Sequence, residues 1–275
     1  GWLGRAADGI AAASSGVPAA AIGALEVPLL LRGARATVPS LRRVEDFQWL
    51  SATANGSVGG DDATRRAIVA AEPAVGANDL SAQVARTTRA AVTLADDLSS
   101  SLARYRAKAD YPDTALGRDL QLAARVAIAG FGVRLLHVAF SGFDTHARQL
   151  PTHAGLLGQL DAALAALLAD LEAHGKKDRT VVLVHSEFGR RVQENGSQGT
   201  DHGAAAPVFA FFGGITGGVH GKPPNLDDLD DGDVKVTVDF RSVYGDVLLR
   251  TGLPVRDALG ASFPSAGLAP AANVR

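Results

Sequence analysis

A chain of 275 residues without cysteine can bury a sizeable core by packing alone, and it is excluded from thiolate catalysis, thiolate metal binding and disulfide chemistry. Its 27 basic and 29 acidic residues leave a net charge of -2, which gives no general field for drawing in nucleic acid or an anionic membrane. Residues 203–219, a run as long as any free of charge and histidine, are cut by glycines, so no membrane span is expected; with Gly1 leading and no methionine, the chain reads as soluble and as a mature product or a fragment.

Residues 1–130 read as a mainly helical cap or scaffold within the same domain as residues 131–275. Alanine-rich apolar repeats at three-to-four spacing alternate with the breaks "SSGVP", "TANGSVGGDD" and "RAKADYPD". The one strand candidate there is "AAIGALEVPLLLRG", and the stretch from Asn78 to about Arg106 is expected to be a long surface helix. From residue 131 the pattern changes to alternating strand and helix. "VRLLHVAF", 133–140, predicts a strand; "AGLLGQLDAALAALLADLEAHG", 154–175, predicts a helix closed by Gly175; and "TVVLVHSEFGRR", 180–191, opens with a second strand. Two such strands joined by a helix predict a right-handed parallel crossover. "APVFAFFGG" predicts a third strand, and Asp239 caps a final helix that carries Phe240, Val243, Tyr244, Val247 and Leu248. The expected fold class is α/β, a central mostly parallel sheet with helices on both faces, with residues 131–275 carrying the site.

In open α/β sheets, ligands sit beyond the carboxyl ends of the strands. Asp144, Thr145 and His146 come after the first predicted strand, and His185, Ser186, Glu187 and Arg190 after the second. Neighbouring strands would bring these loops into one crevice, with Asp201 and His202 of "TDHG" folding over the same edge. Carboxylate oxygen and imidazole nitrogen without sulfur point to a divalent ion, with Zn, Mn, Mg and Ca as the candidates. Arg190 would clamp developing anionic charge, which favours a small anionic ester as substrate. The plainer alternatives are a helix cap for "DTH" and a first-turn pair for Glu187 and Arg190.

Other motifs fall short. "GITGGVHGK" lacks the glycine and the Ser or Thr of a P-loop, since Thr216 and Pro223 stand in those places. "DDLDDGD", 227–233, places Leu229 and Val238 where a calcium loop needs oxygen ligands, and reads as an acidic surface turn. Ser186 lacks the glycines of a nucleophile elbow. His137 and His185 lie in apolar strands and read as core histidines.

The segments "GFDTHARQ", "VVLVHSEFGRRVQENGSQGTDHGAAAPVFAFFGG" and "GKPPNLDDLDDGDVKVTVDFRSVYGDVL", with "GWLGR" and "LEVPLLLRGARATVPSL" near the start, resemble the bacterial domain-of-unknown-function family 1501 (DUF1501), most specifically over residues 140–245. That family is similar to the alkaline phosphatase and sulfatase superfamily, and the chain resembles its C-terminal two thirds. The resemblance implies a central sheet binding one or two divalent metals at its strand ends, with the core incomplete in this chain. Asp144 and His146 then look like ligands of one metal, His202 like the late histidine ligand, and Glu187 stands where the superfamily has an Asp-His pair. His202 precedes its strand, so "PVFAFF" is predicted to run antiparallel to the strands before it. The superfamily's first aspartate and its nucleophile are expected upstream of Gly1, and the family's members are typically exported.

The function expected is therefore a divalent-metal-dependent hydrolase-like protein acting on phosphate or sulfate esters, with Asp144, His146, Glu187, Asp201 and His202 as metal ligands and Arg190 as catalytic clamp. The rivals are a non-catalytic binding or surface-associated protein that keeps the fold without a nucleophile, and a metal-free esterase using Ser186. Substrate and oligomeric state are left open.

Overall fold

The computed structural model describes residues 1–13, 17–42, 51–52, 58–59, 66–67, 70, 81–85, 88–89, 104–130 and 132–268. The long helix expected over 78–106 falls largely outside them, although 81–85 and 88–89 are helical. The chain forms two compact units, one of residues 1–108 and 117–139, the other of residues 109–116 and 140–275.

In the first unit, strands β1 (Ala19–Ile22), β2 (Ser40–Leu41) and β5 (Leu135–Val138) form a parallel sheet in the order β2-β1-β5. Two small antiparallel strands, β3 (Ser51–Ala52) and β4 (Val58–Gly59), pair with each other. Every residue of β1 is buried, and its alternation divides the core in two. Ala20 and Ile22 pack with Leu122, Ala123 and Val126 of helix α2 (Ala115–Ala129), while Ala19 and Ala21 pack with Ala7 of helix α1 (Trp2–Ala13) and with Leu31. Leu136 and Val138 of β5 join the first cluster and Leu135 the second. The result is a helix–sheet–helix sandwich whose middle layer is thin because its central strand is "AAAI". Asp8 pins the loop after Leu31 by accepting from the backbone amides of Ala34, Arg35 and Ala36 at 2.7, 2.8 and 2.7 Å.

The second unit contains helix α3 (Gln149–Ala173), strands β6 (Val181–Val184), β7 (Gly189–Glu194), β8 (Thr200–Gly203) and β9 (Phe209–Phe212), the small hairpin β10 (Leu229–Asp230) with β11 (Asp233–Val234), and helices α4 (Phe240–Arg250) and α5 (Val255–Leu259). Helix α3 starts earlier than its leucine pattern suggests, at Gln149, and it ends as expected before Gly175, whose φ of 68° takes the left-handed turn. By length and composition alone it could cross a bilayer, a property that core helices share. Its fully buried Asp170 is held by the Tyr111 hydroxyl at 3.0 Å and by His174 Nδ1 at 3.1 Å. Asp239 caps α4 as the sequence predicts, its side chain accepting from the Arg241 amide at 2.8 Å.

Two expectations about the strands are corrected. In place of the expected parallel pairing of the strands at 133–140 and 180–191, β5 pairs in parallel with β1 within the first unit, and β6 pairs antiparallel with β9 within the second. The sheet is thus a small three-stranded parallel one accompanied by antiparallel pairs, in a mixed α/β chain. Three of the four residues of β1 are alanine, a weak strand former; "AAIGALEVPLLLRG" marks the region as a strand candidate, but nothing in it points to β5 as the partner. Residues 189–203 form an antiparallel hairpin, so Asp201 and His202 lie in strand β8 and not in a loop. The antiparallel course predicted for "PVFAFF" is present, with Val181 opposite Phe212 and Val184 opposite Phe209. The acidic stretch 227–233 is the β10–β11 hairpin, whose central Asp231 and Gly232 both have positive φ, 47° and 84°.

Candidate metal centre

The segment after Phe140 is extended and irregular up to α3, and hydrogen bonds fix it onto the β7–β8 turn. Arg148 and Gln149 donate their amides to the carbonyls of Ser197 and Gln198 at 3.0 and 2.9 Å, and Thr200 Oγ1 donates to Gln149 Oε1 at 2.8 Å. Arg148 and Gln198, on the two sides of this contact, have φ of 44° and 62°, a conformation that costs a non-glycine residue about 1–2 kcal/mol. Gly199 makes the close approach workable, because a Cβ there would run into the backbone carbonyl of His146.

This fastening carries Asp144 and His146 to His202. Asp144 Oδ1 lies 2.9 Å from His146 Nε2 and 2.6 Å from His202 Nε2. The three residues each offer a ligand atom within 4.8 Å of the others, and all three are exposed. The imidazole rings are tilted by 33° with centroids 4.9 Å apart, and Phe188 stacks on His202 at 4.1 Å and 14°. The hydrogen bond from His202, followed by the charge of and hydrogen bond from His146, holds the Asp144 carboxyl below its usual pKa, so it is a carboxylate at neutral pH.

Arg190 stands opposite His202 in the β7–β8 register. Its guanidinium donates to the carbonyls of Thr200 and Phe143, both at 2.5 Å, and its Nη2 is 3.8 Å from Asp144 Oδ1. Two of its nitrogens are thereby committed to backbone on both sides of the site, and its charge sits beside the carboxylate. The guanidinium also lies over the Phe188 ring at 5.0 Å. β7 runs longer than β8 between the pairs Arg190–His202 and Glu194–Thr200, an irregularity that bends the hairpin beside the site.

Among the expected ligands, Asp144, His146 and His202 thus meet. Asp201 faces the outer nitrogen of His146, with Oδ1 3.7 Å from Nδ1. Glu187 is exposed, and its charge acts on His185 and Tyr244. Burial holds His185 below its ordinary pKa, with Glu187 opposing, and burial together with Glu187 raises that of Tyr244. The Tyr244 hydroxyl lies 3.4 Å from His185 Nδ1. The Ser186 hydroxyl donates to the Phe188 carbonyl at 2.8 Å and so is spent within its own turn.

Sequence reasoning missed Phe188, which fixes the plane of His202, and Asn195. The Asn195 side chain donates to the His146 carbonyl at 3.1 Å and to Asp201 Oδ1 at 3.3 Å. The available signal was the Asn-Gly pair at 195–196, which marks a hairpin turn between "RRVQE" and "TDHG".

An exposed oxygen–nitrogen–nitrogen set of this kind has the donor chemistry for a divalent ion with positions left over for water or substrate. No curated protein and no solved structure matches the chain. The sequence profile of the family described as "Protein of unknown function (DUF1501)" matches residues 1–262, which include every residue of the Asp144, His146 and His202 cluster. The chain therefore belongs to the DUF1501 family.

Proposed function

We propose that this protein is a divalent-metal-dependent hydrolase-like member of the alkaline phosphatase and sulfatase superfamily, acting on phosphate or sulfate esters. One observation carries the reading: Asp144 Oδ1 and the Nε2 atoms of His146 and His202 converge, at 2.9 and 2.6 Å from the carboxylate. Three protein ligands on an exposed face suit a site that keeps positions open, as catalytic sites do, in contrast with a closed structural site. Two imidazoles favour Zn or Mn over Mg or Ca, which prefer oxygen alone. Glu187 and Asp201 are left out of the proposed ligand set because they do not belong to the group whose ligand atoms lie within 4.8 Å of one another.

A bound ion would polarise an ester oxygen and lower the pKa of a coordinated water. The chain's own residues supply the rest. Asp144 presents a carboxylate already ionised at neutral pH. Phe188 and the ladder fix the ring of His202, and Arg190 ties the Phe143 and Thr200 backbones together while placing positive charge beside Asp144.

A second reading, a metal-holding protein without catalysis, is favoured by how open the site is: the side chains of His146, Asp144 and His202 are 47%, 64% and 48% exposed. Catalysis in general gains from excluding water. The test is to load the purified protein with Zn or Mn, measure stoichiometry, and assay aryl phosphate and aryl sulfate hydrolysis before and after chelation. Bound metal with chelator-sensitive turnover supports the hydrolase. Bound metal without turnover favours the second reading, and less than about a tenth of an equivalent of metal after soaking removes the metal site.

A further inference from the structure

We infer that Asp201 is a positioning residue: when His146 grips an ion through Nε2, its Nδ1–H is left facing the Asp201 carboxylate, which holds the ring in that pose, and Asn195 fixes the carboxylate in place. The inference rests on the metal reading of the same site.

A histidine that binds through one nitrogen is oriented by what its other nitrogen bonds. His146 stands between two carboxylates, with Nε2 2.9 Å from Asp144 Oδ1 and Nδ1 3.7 Å from Asp201 Oδ1. The second separation is within ion-pair reach and just beyond a hydrogen bond, so a small rotation of either side chain closes it. Asp201 meets the outer face of the ring, outside the three ligand atoms that lie within 4.8 Å of one another.

Asn195 supplies the independent observation. Its Oδ1 accepts from the amides of Ser197 and Gly199 at 2.9 and 3.1 Å, and its Nδ2 donates to the His146 carbonyl and to Asp201 Oδ1 at 3.1 and 3.3 Å. All four contacts agree on which end of the amide is oxygen, since exchanging the two would set donor against donor and acceptor against acceptor. One side chain therefore locks both the backbone of His146 and the carboxylate facing its ring. His202 is oriented by other means, the Phe188 stack and the ladder. His202 thus has supports of its own, and Asp201 faces the ring of His146.

The experiment uses the whole chain. Zn affinity is measured by competition with a chromophoric chelator for the wild type, Asp201→Ala, Asp201→Asn and His146→Ala, and the Nδ1 proton of His146 is followed in the Zn-loaded protein by long-range 15N–1H NMR. Outer partners of this kind are typically worth about 10- to 100-fold in metal affinity. Asp201→Ala is expected to lose that factor and Asp201→Asn, which keeps an acceptor oxygen, to recover part of it. In the NMR arm, the Nδ1 proton of Zn-bound His146 is expected downfield in the wild type and shifted upfield in Asp201→Ala, where its acceptor is gone. Unchanged affinity in Asp201→Ala, where His146→Ala abolishes binding, overturns the inference and leaves the metal site standing. Absence of Zn binding by the wild type removes the metal site and the inference with it, whereas an Nδ1 proton unmoved in Asp201→Ala overturns the inference alone.

Discussion

Arg190 and His202 are register partners across the β7–β8 ladder, and the guanidinium of the first donates to backbone on both sides of the second, at Thr200 and at Phe143. The residue that braces the site and the residue that gives it an imidazole are therefore fixed by the same strand pairing. Hydrogen bonds from a charged donor are worth about 1.5–3 kcal/mol each where the acceptor is left unsatisfied. Arg190→Ala is expected to destabilise the protein by roughly 2–4 kcal/mol in urea unfolding, with Arg190→Lys recovering only part because an ammonium lacks the fork. An unchanged midpoint in Arg190→Ala would remove the bracing role.

Gly199 and Gly196 make a matched pair for the hairpin turn. A Cβ at 199 meets the His146 carbonyl, and one at 196 meets nothing within 4 Å. Gly199→Ala is expected to cost about 1–3 kcal/mol and to lower metal affinity by displacing His146. Gly196→Ala is expected to be neutral or stabilising by up to about 1 kcal/mol. Thermal unfolding of the two variants side by side checks this, and equal effects would show that the close approach is not a constraint.

His146→Ala and His202→Ala would each remove a proposed ligand atom, so on the metal reading each should weaken Zn or Mn binding by more than the roughly 100-fold upper range of an outer-partner change. Isothermal titration of each variant gives the comparison. A variant that binds as the wild type does would take that histidine out of the ligand set.

Burial depresses the pKa of His185 below its ordinary 6.5. Above that value the imidazole is neutral in both folded and unfolded chains and adds no pH dependence. As pH falls below it, the unfolded chain binds the proton first, so stability declines until the folded group protonates too. The urea midpoint of the wild type should therefore fall more between about pH 7 and about pH 5 than that of His185→Gln. Parallel curves would mean that His185 is not held neutral.

Apolar content decides which elements are legible in the sequence and which are hidden. Strands β6 and β9 and helix α3 are marked by "VVLV", "FAFF" and a leucine repeat, and each forms close to where those runs lie. β1 is mostly alanine, a weak strand former, and Ile22 is its one branched residue, so its pairing with β5 could not be read. The β7–β8 hairpin is written in "GRRVQE" and "TDHG", residues whose polarity imitates a loop. For the site, the residue types of Asp144, His146 and His202 were visible because few other side chains offer such donors. Glu187 passed the same filter, yet it lies outside the Asp144, His146 and His202 group, which spacing alone could not reveal. Phe188 and Asn195 escaped notice because an aromatic ring and an amide are ordinary anywhere, and only their contacts with His202, His146 and Asp201 give them meaning.

Asp144 and His202 are 58 residues apart in sequence. An ion gripping both would tie off the intervening α3, β6 and β7 as one closed loop, whose closure entropy the unfolded chain would otherwise be free to keep. Loading would then do more than equip a site: it would act as a removable staple across half of the second unit, and chelation would lower the resistance of α3 and the hairpin to unfolding together.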